Sequence, residues 1–243
     1  MYKIDEMYND FLSKRNIVHK ESRLAQSQGR YSASSSGMCI KKQWFQKQGY
    51  EPAIPDNSSL RIFRLGTMVG EDLEEAVKFW AMRNPTLNVY TEEYIKDDSL
   101  NLGGSFDLLI VDEERKGYLY DYKTCNMGSW SAKFSPKPWS IQSNNYDFQL
   151  GTYAMMLNDS QKFCDEIVYM GLFYYNKNTS KTRLKDSDLM YIDLAREYWE
   201  KINATAPNPD PPPYSEEGLV PYYKWECGKY CSFVDQCDSP LIK

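Results

Sequence analysis

The chain has 243 residues, 42% of them apolar and 26% charged, with a formal net charge of −5. That length can bury a full core in one elaborated domain, and the composition is ordinary for a globular chain. No run of eighteen apolar residues occurs, so no membrane span is expected. MYKIDEMYND lacks the basic and apolar regions of a secretory signal. The expected location is therefore cytoplasmic, where the six cysteines stay reduced and read as metal ligands rather than disulfides.

The charge argues mildly against a nucleic-acid binder, but its distribution does not. Lys14, Arg15, Lys20, Arg23, Arg30, Lys41, Lys42 and Lys47 meet only Glu21 within residues 14–47. That segment carries +7 and leaves −12 for the rest. Such a stripe can steer a phosphate backbone, or it can be a solvated helical surface.

In chain order, Ile4, Met7, Tyr8, Phe11 and Leu12 predict an amphipathic helix over 4–18. YSASSSG at 31–37 reads as a turn and helix cap, and EPAIPDNSS at 51–59 as a loop. A long helix is predicted from about Leu65 to Met82, with Leu65, Val69, Leu73, Ala76, Val77 and Trp80 as its stripe. LNVYTEEYI (87–95) predicts a strand. FDLLIV (106–111) and YLYDYKT (118–124) predict a hairpin about Glu114. Residues 144–157 return to helical spacing, 167–175 form an apolar strand of the buried type, and 188–202 form a helix. NPDPPPY (208–214) is a stiff linker. The order predicts a mixed α/β domain. Its parts are an N-terminal helical segment (1–60), a core (61–205), and a linker with a C-terminal cysteine cluster (206–243), integrated as one domain.

Two constellations carry chemistry. Cys227, Cys231 and Cys237 form a C-x3-C-x5-C cluster, and Cys39 lies far upstream. Four thiolates suit a metal centre that clips the two ends together, and zinc fits them as well as iron. Trp44, Trp225, Tyr230 and Phe233 flank them and would wall such a centre from solvent. Cys125 and Cys164 read as packed thiols. In the hairpin, period two puts Tyr118, Tyr120 and Tyr122 on one face and Leu119, Asp121 and Lys123 on the other. A turn about Glu114 sets Asp107 opposite Asp121. Two carboxylates opposed across a half-buried sheet repel, unless a hard cation such as Mg²⁺ or Mn²⁺ lies between them. Lys123 shares that face and could contact a phosphate or a water. Gln149 and Tyr153 share a helical stripe. Gln149 could orient a water or nucleotide, and Tyr153 could stack on a base or simply be core.

GGSFD, DYK and QLGTY, in that order and spacing, resemble the second, third and fourth motifs of the PD-(D/E)XK nuclease superfamily. With Cys39 before them and three cysteines after, the chain is similar to its RecB-type iron–sulfur branch. That branch includes the CRISPR-associated RecB-like exonucleases, their phage homologues and the AddB nuclease domain. The resemblance runs from about residue 31 to residue 237. It implies a restriction-endonuclease-like core, a mixed sheet flanked by helices, with a structural [4Fe–4S] cluster on Cys39, Cys227, Cys231 and Cys237. It further implies Mg²⁺ or Mn²⁺ on Asp107, Asp121 and the Tyr122 carbonyl, Lys123 as the catalytic lysine, and Gln149 and Tyr153 as the fourth motif. The implied activity is single-strand DNA exonuclease action, with CRISPR adaptation or phage recombination proteins as partners.

One position departs from that pattern. The family's G-x-x-x-H helix motif is here Gly66 followed by Gly70 in the histidine slot, and the only histidine is the distant His19. Glu71 and Glu74 are the candidate replacement ligands. Glu74 lies about 40° from the slot and Glu71 about 100°. Alternatively both are exposed charges of an acidic run. A catalytically impaired DNA-binding subunit and a zinc-stapled interaction protein therefore remain the other readings.

Overall fold

A computed structural model describes residues 3–135, 144–210, 212, 226–227 and 231–237, the side chain of Leu24 excepted. The helices are α1 (Ile4–Ser27), α2 (Ile40–Lys47), α3 (Asn57–Ala81), α4 (Met127–Phe134), α5 (Asn145–Ser160) and α6 (Tyr191–Thr205). The strands are β1 (Tyr31–Ser32), β2 (Asn88–Asp97), β3 (Leu102–Val111), β4 (Lys116–Cys125), β5 (Glu166–Asn176) and β6 (Thr182–Ser187). The mixed α/β expectation holds.

The sheet is mixed. Strands β2, β3 and β4 form an antiparallel meander, β4 and β5 are parallel, and β6 returns antiparallel at the edge. The parallel pair needs a crossover, and α4 and α5 supply it. Helix α5 is the most buried element: Asp147 through Leu157 are all buried, against the sheet on one side and α6 on the other. Gly151 makes that second contact possible, because a Cβ there would collide with the Tyr191 carbonyl.

One edge of β3 is shared. Leu108–Val111 pair with β4, whereas Leu102 and Gly103 pair with the short β1. Strand β4 meanwhile stays on β5 through Cys125. So β3 and β4 part after Leu108↔Tyr120, one position before Asp107 and Asp121. Ala33 and the Tyr153 hydroxyl close the gap from below, at 3.1 and 2.9 Å from where a Cβ on Gly104 would stand.

Several local expectations change. Helix α1 continues past Val18 as far as Ser27. Its expected apolar face stays exposed: Ile4, Met7, Tyr8 and Phe11 face solvent and only Leu12 is buried. Helix α3 starts at Asn57, inside the expected loop, because the Asp56 side chain accepts a hydrogen bond from the Ser59 N–H at 2.7 Å and caps it. Leu65 and Trp80 of its stripe are exposed. YSASSSG forms β1 and a 3₁₀ turn, and Cys39 rather than a serine stands at the cap of α2. Helix α4 and strand β6 carry no periodic apolar signal; β6 is recruited by pairing alone. Residues 211, 213 and 214 of the linker, and Trp225 and Tyr230, lie outside the described residues.

Candidate active site

The split between β3 and β4 exposes backbone groups that a continuous ladder would pair. Asp107 answers one of them: its Oδ2 accepts a hydrogen bond from the Tyr122 N–H at 2.5 Å. The Tyr122 peptide is thereby held beside both carboxylates. Asp121 is 1% exposed. Its Oδ1 accepts from Gln149 Nε2 at 2.8 Å, and its Oδ2 ion-pairs with Lys123. Lys123 Nζ in turn donates to Gln149 Oε1 at 3.1 Å and lies over the Tyr146 ring. Asp107, Asp121, Lys123 and Gln149 thus meet in one place, three from strands and one from α5.

Two acids and one ammonium share this volume, Asp121 buried and Asp107 and Lys123 partly so. Burial, then Asp121, pushes the Asp107 carboxyl up to about 8, against Lys123 and the Tyr122 amide. Burial also raises Asp121, with Lys123 pulling the other way. Lys123 is lowered by burial, but the two aspartates outweigh this and its pKa is raised. Tyr153 is 3% exposed and packs in the core, so no ring face is free for a base. It keeps its proton firmly, through burial first and then the charges of Asp121 and Asp107. The base-stacking expectation for Tyr153 gives way to a supporting place beneath Gln149.

Helix α3 crosses the other side of the split. Gly66 seats it on β4, where a Cβ would meet the Thr124 hydroxyl at 3.2 Å, while a Cβ on Gly70 would meet nothing within 4 Å. One turn on, Glu74 accepts hydrogen bonds from Thr91 Oγ1 of β2 at 3.0 Å and Lys78 Nζ at 2.5 Å. Lys78 and Thr91 lower its pKa despite partial burial. Its charge is felt by the Tyr122 hydroxyl, together with those of Asp107 and Glu92. Glu71 points elsewhere: it is half exposed and bound to Arg64 at 3.0 Å and Arg15 at 3.6 Å. Of the two glutamates, only Glu74 adjoins the site.

Glu92 escaped the sequence reading. The β2–β3 register, Thr91↔Leu108 and Glu93↔Phe106, sets it opposite Asp107. The only signal was the irregular alternation of YTEEY, which does not single it out.

The donor set is hard oxygen, which suits Mg²⁺ or Mn²⁺. Asp121 Oδ2 and the Tyr122 hydroxyl are buried, and neither has a hydrogen-bond partner among the described residues. Asp121 Oδ2, met only by its ion pair with Lys123, fits a cation, whereas the Tyr122 hydroxyl leaves β4 on the opposite face. Among those residues no three His, Cys, Asp or Glu side chains already converge as an ion-holding group. The reason is visible: Lys123, Gln149 and the Tyr122 amide hold the carboxylates on their own donors.

The basic stripe of residues 14–47 is largely neutralised. Lys14 pairs with Asp10, Arg15 with Glu71, Lys20 with Glu51, Arg30 with Asp98 and Lys42 with Glu226. Lys41 is buried. Arg23 is the member whose charge reaches Glu92 at the site.

The N- and C-terminal cysteines approach one another beside α2, and no three of them converge as an ion-holding group among the described residues. Cys39 is pushed up to about 11, by burial first and also by Glu226 and Cys227, while the Lys41 and Lys42 amides lower it. Burial raises Cys231, which also feels Cys227. Cys231 and Cys237 pack on Trp44, Phe45 and Phe233, the last stacked on Phe45 at 5.7 Å. The Ser232 carbonyl accepts from the Ala53 N–H at 2.7 Å and ties this segment to the loop before α3. The N- and C-terminal cysteines are thus neighbours, although 187 residues lie between Cys39 and Cys227. All six cysteines are free thiols, and Cys125 and Cys164 are buried in the core.

A strand pair that opens at two aspartates, with a lysine two residues on and a glutamine from the crossover helix, defines a nuclease-type core. The family model of the PD-(D/E)XK nuclease superfamily matches residues 36–238, and the chain belongs to that superfamily. Among solved structures, SSO0001 is similar at 17% identity and a TM-score of 0.54, covering 96% of each chain; it supports the fold. LHK-Exo in complex with dAMP is similar at 16% identity and a TM-score of 0.42, over 77% of this chain and 92% of its own. No curated protein matches the chain. No helix among the described residues is long and apolar enough to cross a membrane.

Proposed function

We propose that this protein is a Mg²⁺- or Mn²⁺-dependent deoxyribonuclease acting as a single-strand exonuclease, of the RecB-type iron–sulfur branch. The observation that carries the reading is the parting of β3 and β4 at Asp107 and Asp121, with Lys123 and Gln149 bonded into the gap. Asp107, Asp121 and the Tyr122 carbonyl would hold the cation, with Glu74 in place of the missing histidine. A cation there would polarise the scissile phosphate and lower the pKa of a bound water. Lys123, kept charged by both aspartates, offsets charge that builds on the phosphoryl oxygens. Gln149 bridges Lys123 and Asp121 and so holds the ammonium in register. Asp107 fixes the Tyr122 peptide through its amide.

The second metal centre is a [4Fe–4S] cluster on Cys39, Cys227, Cys231 and Cys237, whose joining of residues 1–60 and 206–243 to the 61–205 core makes one domain. The packing of Cys231 and Cys237 on the aromatic cluster, with Cys39 beside Cys227, supports it. End-labelled single- and double-stranded DNA, incubated with Mn²⁺ or Mg²⁺, tests the activity, with Asp121→Asn as the blank. Progressive shortening of the single strand is expected from the wild type only. The open space at Gly70 favours one alternative, a DNA-binding subunit without cleavage. Strand binding with no product under either metal, and cleavage regained in Gly70→His, would establish that alternative. A brown protein with a broad visible band is expected. A colourless protein holding zinc would replace the iron–sulfur reading with a zinc staple.

A further inference from the structure

We propose that Glu92 is a further ligand of the divalent cation, adding to Asp107, Asp121 and Glu74 an oxygen donor from β2. The inference rests on the nuclease reading of the site.

Register is the first argument. Glu92 stands opposite Asp107 across β2–β3. Asp107 in turn lies one step beyond the Leu108↔Tyr120 pair, opposite Asp121. Three carboxylates therefore border the opening, Glu92 level with Asp107 on β2 and Asp121 across the gap where β3 and β4 part. Like charges directly opposite each other destabilise a sheet, so this group needs a compensating positive charge. Lys123 compensates Asp121, and the Tyr122 amide serves Asp107. Glu92 makes no hydrogen bond or ion pair among the described residues, and Arg23 and Lys78 act on it through their charge alone.

Direction is the second. Glu92 adopts φ +53°, the left-handed region, in the middle of a strand. Its neighbour Thr91 hydrogen-bonds Glu74 of α3, so this stretch of β2 abuts the helix. The charge of Glu92 acts on Asp107, on the Tyr122 hydroxyl and on Tyr153. Its own carboxyl is raised by partial burial, then by Glu74 and Asp121, although much of the side chain meets solvent.

The third argument is what these carboxylates face. Asp121 is 1% exposed, and its Oδ2 accepts no hydrogen bond, its ion pair with Lys123 apart. On α3, a Cβ at Gly70 would meet nothing within 4 Å. A hard cation seated at the opening, with Glu92 among its oxygen donors, would satisfy what the protein's own groups leave unmet.

Titration calorimetry with Mn²⁺ tests this on the purified full chain, without recourse to activity. Glu92→Gln should weaken Mn²⁺ binding about tenfold or more. Glu92→Gly should do the same while melting no lower than the wild type, because glycine takes a left-handed φ without strain. Exposed Glu93→Gln should bind as the wild type does, and Asp121→Asn should lose binding. If either Glu92 variant keeps wild-type affinity while Asp121→Asn loses it, the inference falls and the nuclease site stands. Equal weakening by Glu93→Gln would reduce the effect to bulk charge and also overturn it. A wild type that binds no Mn²⁺ would remove the nuclease reading along with the inference.

Discussion

Asp107 gives the site its pH dependence. An unfolded aspartate titrates near about 3.9, whereas burial and Asp121 push this one up to about 8 in the folded chain. Between those values the native state holds a proton that the unfolded chain has lost. The contribution of Asp107 to stability is therefore full below about pH 4 and is lost as pH rises through about 8. Melts of the metal-free protein should show Asp107→Asn flattening this decline relative to wild type. Mn²⁺ needs the carboxylate, so its affinity should rise over the same window. A wild-type affinity that is flat in pH would refute the assignment. Asp107→Ala, Asp121→Ala and Lys123→Ala should each reduce cleavage roughly 10²–10³-fold or more, with unchanged circular dichroism. The two helix glutamates should separate. Glu74→Gln is expected to weaken the Mn²⁺ dependence of cleavage, and Glu71→Gln to be nearly silent, because Glu71 is held by Arg64. Measuring rate against Mn²⁺ concentration decides between them, and equal effects would refute the placement. Asp107, Asp121 and Lys123 were legible as residue types in a short pattern. Glu92 was not, because its place depends on β2 pairing with β3.

At the scale of elements, α5 and its contact with α6 fix the lysine and glutamine of the site. Gly151→Ala drives a Cβ into the Tyr191 backbone, which cannot swing aside as a side chain would. The substitution should cost about 1–3 kcal/mol, the usual range for overpacking, read as a lower denaturation midpoint. The strands that carry Asp107, Asp121 and Lys123 lie one layer away, so residual activity per folded molecule should survive. A midpoint equal to wild type would mean that α6 can slide. Hairpin β3–β4 was legible because its alternation and turn agree. The start of α3 was not, because residues 51–59 have a loop composition while Asp56 supplies a cap within it.

At the scale of the molecule, the described C-terminal residues return to α2. Closing a loop of this length removes much freedom from the unfolded chain, so a centre on the four cysteines should contribute strongly to stability. Cys39→Ser should bleach the visible band, lower the melting temperature and open the segment after residue 206 to protease. Retention of colour and protease resistance would show that Cys39 is not a ligand. The aromatic packing of Trp44, Phe45 and Phe233 should hold part of the C-terminal segment even then.

The amino-acid sequence by itself determined the mixed α/β class and the hairpin, and it marked Asp107 and Asp121 as a pair of carboxylates on neighbouring strands. Each follows from a local period or a turn count, which needs no partner element. It also marked the four cysteines by type and spacing. Tertiary structure alone decided the rest. The split of β3 from β4 arises because β1 takes one end of β3 while β5 holds β4. The neutralised basic stripe, the exposed face of α1 and the arrival of Glu92 opposite Asp107 depend on contacts between segments far apart in the chain. No periodicity within a single segment records such contacts.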